Sequence, residues 1–274
     1  MQNCEILSVG IFDSGVGGLS VLRSIRAQIP ESPLFYVGDQ AHVPYGLRSE
    51  KEIREFSNGI TKFLIQQNVD LIVVACNTAS AAALNYLREA YPLIPFVGME
   101  PAIKPAAEQT KSGIVAVLAT PATLEGGLYS SVVERFAKNV IILQDTCPGL
   151  VGQIEQGNLN STITKAILEK ALLPMLAKGI DTVVLGCTHY PFVIPQINEI
   201  VGPEVRVIDP APAIARQVSR LLGYIPTNVE QKEKAVVKYF TTADAILMER
   251  VLPNLIGEKG FVKELHWANG KLEM

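Results

Sequence analysis

The sequence predicts an α/β protein of two similar domains with mostly parallel sheets and an active site in the cleft between them. Three observations carry that expectation. Apolar runs alternate with amphipathic stretches from start to end, the pattern of strand and helix layers. Two of these runs, LIVVACNT at 71–78 and TVVLGCTH at 182–189, read almost alike. In each, a valine-rich run meets a small residue, a cysteine and then short polar residues. The two cysteines, Cys76 and Cys187, lie more than a hundred residues apart, close to one small domain each.

Strands are expected at 5–12, 33–37, 70–75, 94–97, 113–118, 140–143, 181–185, 205–208 and 235–240. Parallel strands covered on both faces give continuous apolar runs of this kind rather than strict alternation. The clearest helix is expected at 50–67, where Ile53, Phe56, Ile60, Phe63 and Leu64 share one face. Ser49 and Glu52 have capping-box spacing at its start. A second helix is expected at 162–178, stopped by Gly179. The first domain is expected to take residues 1–97 and 210–274, the second 98–209. The last segment rejoins the first domain, which would otherwise be short.

Composition narrows the class. Hydrophobic residues make up 48% of the 274, enough for a sizeable core. The net charge of −3 and the absence of any long run of like charge argue against nucleic acid or an anionic membrane surface as partner. No apolar run is long enough for a membrane span, and no signal-peptide pattern opens the chain, so a soluble cytoplasmic protein is expected. The four cysteines, at 4, 76, 147 and 187, form no C-x-x-C pair, which disfavours a disulfide framework or a zinc site. No metal is expected.

The chemistry concentrates at the predicted strand ends, where open α/β sheets bind ligands. Helix-start amides there favour a thiolate, so both Cys76 and Cys187 are expected to be activated. Two thiols from two half-chains suggest chemistry on both faces of one small substrate. Cys4 and Cys147 lack such neighbours and are expected to be structural. The glycines of 12–18 allow close backbone approach to a ligand. Asp13 either orients a thiol or a substrate ammonium, or caps a helix, and Ser14 can donate to a carboxylate. The segment 38–46 is long for a strand–helix loop, which suits function, but it also reads as a surface turn with Tyr45 partly buried. Thr120 and Thr123 flank Pro121 at a helix start, where they would either receive a carboxylate or act as a plain cap. His189 can lower the Cys187 pKa or relay a proton, or be structural. Glu155 reads as a solvated helix residue unless the fold brings it into the cleft.

Four motifs occur together: F-D-S-G-x-G-G at 12–18, G-D-x-x-x-x-P-Y-G at 38–46, A-C-N-T-A at 75–79 and G-C-T-H-Y-P at 186–191. In that order and spacing the chain resembles the glutamate racemases of the aspartate/glutamate racemase superfamily, and the rest is compatible to its end. The resemblance implies two α/β domains enclosing the substrate and no cofactor. It implies that Cys76 and Cys187 are the acid/base pair across the α-carbon, Cys76 acting on D-glutamate and Cys187 on L-glutamate. Asp13, Glu155 and His189 would assist proton transfer, with Asp13 and His189 also beside the substrate. Ser14, Pro44, Tyr45, Gly46, Asn77, Thr78, Thr120, Thr123 and Thr188 would contact it. It further implies D-glutamate supply for peptidoglycan and a homodimer. Departures from the expected pattern fall at His42, in place of a common arginine, at Ala119, in place of glycine, and at Gly149 and Gly152, in a stretch normally bulkier. The alternatives are an aspartate racemase, a thiol hydrolase using Cys187 with His189, and a silent glutamate-binding protein.

Overall fold

A computed structural model describes residues 6–224 and 235–274 of the chain. The first run of elements is β1 (Val9–Asp13), α1 (Leu19–Gln28), β2 (Leu34–Gly38), α2 (Glu50–Gln66), β3 (Leu71–Val74), α3 (Asn77–Ala90) and β4 (Phe96–Gly98). The middle of the chain gives α4 (Ile103–Gln109), β5 (Ile114–Ala119), α5 (Pro121–Glu125), α6 (Gly127–Phe136), β6 (Ile141–Asp145), α7 (Leu150–Glu155), α8 (Thr162–Leu176), β7 (Thr182–Gly186), α9 (Ile194–Val201) and β8 (Arg206–Ile208). The last run is α10 (Ala211–Leu221), β9 (Val237–Thr241), α11 (Ala245–Ile256), β10 (Val262–Glu264), β11 (His266–Ala268) and β12 (Lys271–Glu273).

The strands form two wholly parallel sheets and one small antiparallel hairpin. A six-stranded sheet has the order β10-β9-β2-β1-β3-β4, so both ends of the chain contribute to it. A four-stranded sheet, β6-β5-β7-β8, comes from the middle. The strands β11 and β12 pair with each other. Parallel pairing brings every carboxyl end of a sheet to one edge. Asp13 lies opposite Gly38 on the first sheet, and Ala119 opposite Gly186 on the second. All the turns that carry predicted site residues therefore leave from those two edges.

The continuous apolar runs are explained by burial on both faces. Along β3, Leu71 and Val73 join one core with Val9 and Ile11, while Ile72 and Val74 join another with Phe12. The first of these cores also takes Leu118 and Leu185 from the four-stranded sheet, so one apolar body passes between the two sheets. The helices α1 and α10 pack together along it. A third core covers the other face of the four-stranded sheet with Val115, Val117 and Val184.

The nine expected strands all form, with ends displaced by a few residues. The first was expected from Glu5, which lies outside the described residues, and begins at Val9. Before it, Ser8 is held by its amide and hydroxyl on the Asp70 carboxylate, at 2.7 and 3.0 Å, rather than in a ladder. The helix α2 carries the expected capping box, with Glu52 N–H donating to Ser49 Oγ and Ser49 N–H to Glu52 Oε2. The helix α8 ends at Leu176, two residues short of expectation, and Gly179 then takes a left-handed φ of 83°. The three C-terminal strands escaped the sequence reading because each has only three residues and one or no fully buried side chain.

Asp181, just before β7, fastens the turn at 110–112. Its carboxylate accepts the N–H groups of Lys111 and Ser112 at 2.5 and 2.7 Å and the Thr110 hydroxyl at 2.7 Å. Desolvation pulls its pKa up, but these donors outweigh that and hold it at about 2. Because the folded pKa lies below the unfolded value of about 3.9, the stabilisation is complete above about pH 4 and lost as pH falls through about 2. Asp181→Asn should therefore lower the melting temperature at pH 7, and the gap from the parent should narrow steadily in melts carried from pH 4 toward pH 2.

Candidate active site

Ser14 and Cys76, which follow β1 and β3, face Cys187, Thr188 and His189, which follow β7, across a single cavity. The segment 38–46 supplies Pro44, Tyr45 and Gly46, the start of α3 supplies Asn77 and Thr78, and the N-cap of α5 supplies Thr120. Three sequence-predicted residues stand just behind this lining: Asp13, Thr123 and Glu155 touch it through hydrogen bonds. Tyr45 is buried rather than part of a surface turn, and its hydroxyl donates to Asp39 at 2.6 Å.

Cys76 occupies the N-cap of α3, where its sulfur accepts the Ala79 N–H at 3.4 Å. Burial pushes the Cys76 thiol far up, the nearby Asp13 charge adds to the rise, and the Ala79 amide offsets only part of it. The expected activation of this thiol by helix-start amides is corrected accordingly. Ser14 Oγ lies 4.0 Å from the sulfur. Beside it Asn77 is buried, with neither its side-chain oxygen nor its nitrogen hydrogen-bonded within the protein. The hydroxyls of Thr78, Thr120 and Thr123 form a closed triangle, at 3.0, 2.9 and 3.4 Å.

Cys187 sits in a different setting. Its sulfur lies 3.7 Å from His189 Nδ1, and His189 Nε2 lies 2.6 Å from Glu155 Oε1. Burial alone would lower the His189 pKa, but the hydrogen bonds and charges of Cys187 and Glu155 overcome it and hold it well above the usual range. Glu155 is held below the ordinary carboxylate value although it is desolvated, because His189, the Val16 N–H and Gln40 all donate to it. Asp13 accepts the Gly15 N–H at 2.8 Å and the Thr188 hydroxyl at 3.0 Å, and its burial raises its pKa. It caps no helix, since α1 begins at Leu19. Cys147 is buried in the core and does not line the cavity. Cys4 lies outside the described residues.

The glycine turn is built for these side chains. A Cβ at Gly15 would land on the Glu155 carboxylate, and one at Gly17 on the His189 ring. A Cβ at Gly18 would come within 2.7 Å of Asp13 Cβ. The close approach foreseen for a ligand is thus made by the protein's own acid and imidazole, arriving from the other sheet. Sequence reasoning missed Val151 and Gly186, which line the cavity, and Gln40 and Ser20, which brace it. Val151 carries no chemical signal, and Gln40 acts only through a long-range contact. Among the described residues, no group of three or more His, Cys, Asp and Glu is placed to hold a metal ion, and no helix is long and apolar enough to cross a membrane.

The chain that carries this site has counterparts among known proteins. The sequence profile of the Asp/Glu/Hydantoin racemase family matches residues 17–218. The chain belongs to this family. Among Asp/Glu/Hydantoin racemases it is 48% identical over 261 residues to the glutamate racemase of Pseudomonas aeruginosa, covering 95% of this chain and 98% of that one. Its fold matches Escherichia coli glutamate racemase in complex with L-glutamate and the activator UDP-MurNAc-ala, with a TM-score of 0.82 and 34% identity over 95% of this chain and 98% of that one. It also matches the Francisella tularensis glutamate racemase in complex with D-glutamate, with a TM-score of 0.79 and 28% identity over 94% and 97% of the two chains. The chain is accordingly an amino-acid racemase.

The glycine contacts give a direct check on this wiring. Gly15→Ala should keep the secondary structure, because the clash is with the flexible end of Glu155, but it removes Glu155 from Val16 and His189 and should lower the melting temperature. Turnover should fall about 100-fold, in the range for a lost acid/base partner, with an unchanged circular dichroism spectrum.

Proposed function

We propose that the chain interconverts L- and D-glutamate without a cofactor, by a two-base exchange at the α-carbon. The observation that carries this reading is the placement of Cys76 and Cys187 on one cavity, each with its own polar escort. One sulfur, as thiolate, takes the α-proton as the Cα–H bond breaks. The electron pair moves into the substrate carboxylate, and the other sulfur then gives its proton to the opposite face of Cα. Each turnover leaves the proton on the other sulfur, so the two enzyme forms serve the two enantiomers.

The surroundings suggest which form receives L-glutamate. Cys76 is driven toward the thiol by burial and by Asp13. Cys187 touches a His189 that favours its cationic state. With Cys76 as donor and Cys187 as acceptor, the enzyme takes the L-enantiomer, as the resemblance implies. Charge building on the substrate carboxylate needs oriented donors in a dry site. The threonine hydroxyl triangle, Ser14 and the unpaired Asn77 amide supply them. We assign residues 1–97 with 210–274 and 98–209 as the two bodies that enclose the substrate. The family resemblance supports a role in supplying D-glutamate for peptidoglycan, in the bacterial cytoplasm and as a homodimer. A thiol hydrolase using Cys187 and His189 would leave the placement of Cys76 on the same cavity without purpose.

Replacement of either sulfur tests the scheme. Cys76→Ser and Cys187→Ser should each lose racemisation by roughly 1,000-fold or more, measured by circular dichroism on pure L- and D-glutamate. The parent enzyme should incorporate solvent deuterium at the α-carbon with no added pyridoxal phosphate. Near-normal turnover in either variant contradicts the two-base reading.

A further inference from the structure

Asp39 is a buried carboxylate outside the proton-transfer network, and four donors from three parts of the chain converge on it. Two come from its own loop: the Tyr45 hydroxyl at 2.6 Å and His42 Nδ1 at 3.0 Å. The third is the Thr242 hydroxyl at 2.7 Å, just after β9, and the fourth is the indole N–H of Trp267 at 2.8 Å, on β11. The Asp39 N–H in turn donates to the Asp13 carbonyl at 3.0 Å. Donors on opposite sides of one carboxylate fix its plane. Tyr45 hangs from that plane, and with Pro44 and Gly46 it forms one wall of the cavity.

Trp267 is itself packed, half-buried, against α2 and the 38–46 segment. Its ring fills the space over Gly59 of α2, where a Cβ would collide with it, and its centroid lies 5.5 Å from the His42 ring and 5.8 Å from Phe56. His42 stacks on Phe56 at 3.8 Å. The indole therefore braces the cavity wall twice, by its N–H on Asp39 and by its edge on His42. We propose that Trp267 is a positioning residue of the active site, by which the C-terminal hairpin sets the Tyr45–Gly46 wall through Asp39. The inference rests on glutamate binding in this cavity. Trp267 touches no reacting atom, so its loss weakens binding of substrate and transition state alike and spares the proton transfer.

The test is steady-state racemisation of D-glutamate by the parent enzyme and by Trp267→Phe, which keeps an aromatic ring and removes the N–H. KM should rise about tenfold, the size of a lost hydrogen bond to a charged group, while kcat stays within about twofold. An unchanged KM, or a fall in kcat at constant KM, overturns the proposal. Trp267 is the single tryptophan of the chain, so the parent's own emission reads the same contact. It should change saturably with added glutamate, with a midpoint near KM, and should Trp267→Phe fail to fold, a flat titration through saturation overturns the proposal. A parent enzyme without glutamate turnover removes the functional reading itself, whereas normal parent turnover with an unaltered Trp267→Phe defeats the inference alone.

Discussion

Glu155 is a carboxylate with only 12% of its side chain exposed, a placement that is costly unless donors replace the lost solvent. Its donors come from both sheets: Val16 and Gln40 from the six-stranded half, His189 from its own half. Much of the remaining site geometry results from meeting that demand. The turn after β1 must lack side chains at Gly15 and Gly17 so that the acid and the imidazole can reach it. His189, held at one ring nitrogen by Glu155, presents the other to Cys187. Thr188 is drawn onto Asp13, and Ser20 onto the Thr188 carbonyl. This one carboxylate thereby ties residues of both halves together beside the cavity that both sulfurs line.

The two thiols are unlike in a way that symmetry of fold would not suggest. Both end a valine-rich strand and both are buried. Cys76 has a carboxylate and a hydroxyl near it, whereas Cys187 has an imidazole backed by a carboxylate. The cavity thus has two chemically different sides. Burial and the Asp13 charge push the Cys76 thiol up, whereas Cys187 lies against the His189 ring.

The parallel sheets were legible because strands buried on both faces leave unbroken apolar runs, as at β3, β5 and β7. The cavity positions were legible for a related reason: a parallel strand delivers the residues after it to a known edge, and Cys76, Thr120 and Cys187 each come directly after or close behind one. Short pieces failed. The strands β10, β11 and β12 are too brief for any period to show. Long-range effects failed as well. Nothing local to Glu155 distinguishes it from a solvated helix residue, and nothing near Gln40 or Trp267 names their partners. The Cys76 thiol shows the limit most clearly, since its helix-start position predicts a lowered pKa while burial, which belongs to the folded whole, pushes it up.

The threonine triangle carries one more consequence. Three hydroxyls sharing three hydrogens can close a loop in which each oxygen gives once and receives once, and two circulations of that loop, clockwise and anticlockwise, use the same atoms. Switching between them needs only bond rotations, with no movement of carbon or oxygen. An anionic group that docks against the loop breaks it open and turns the hydrogens outward. The triangle can thus reorient its hydroxyl dipoles without moving any heavy atom.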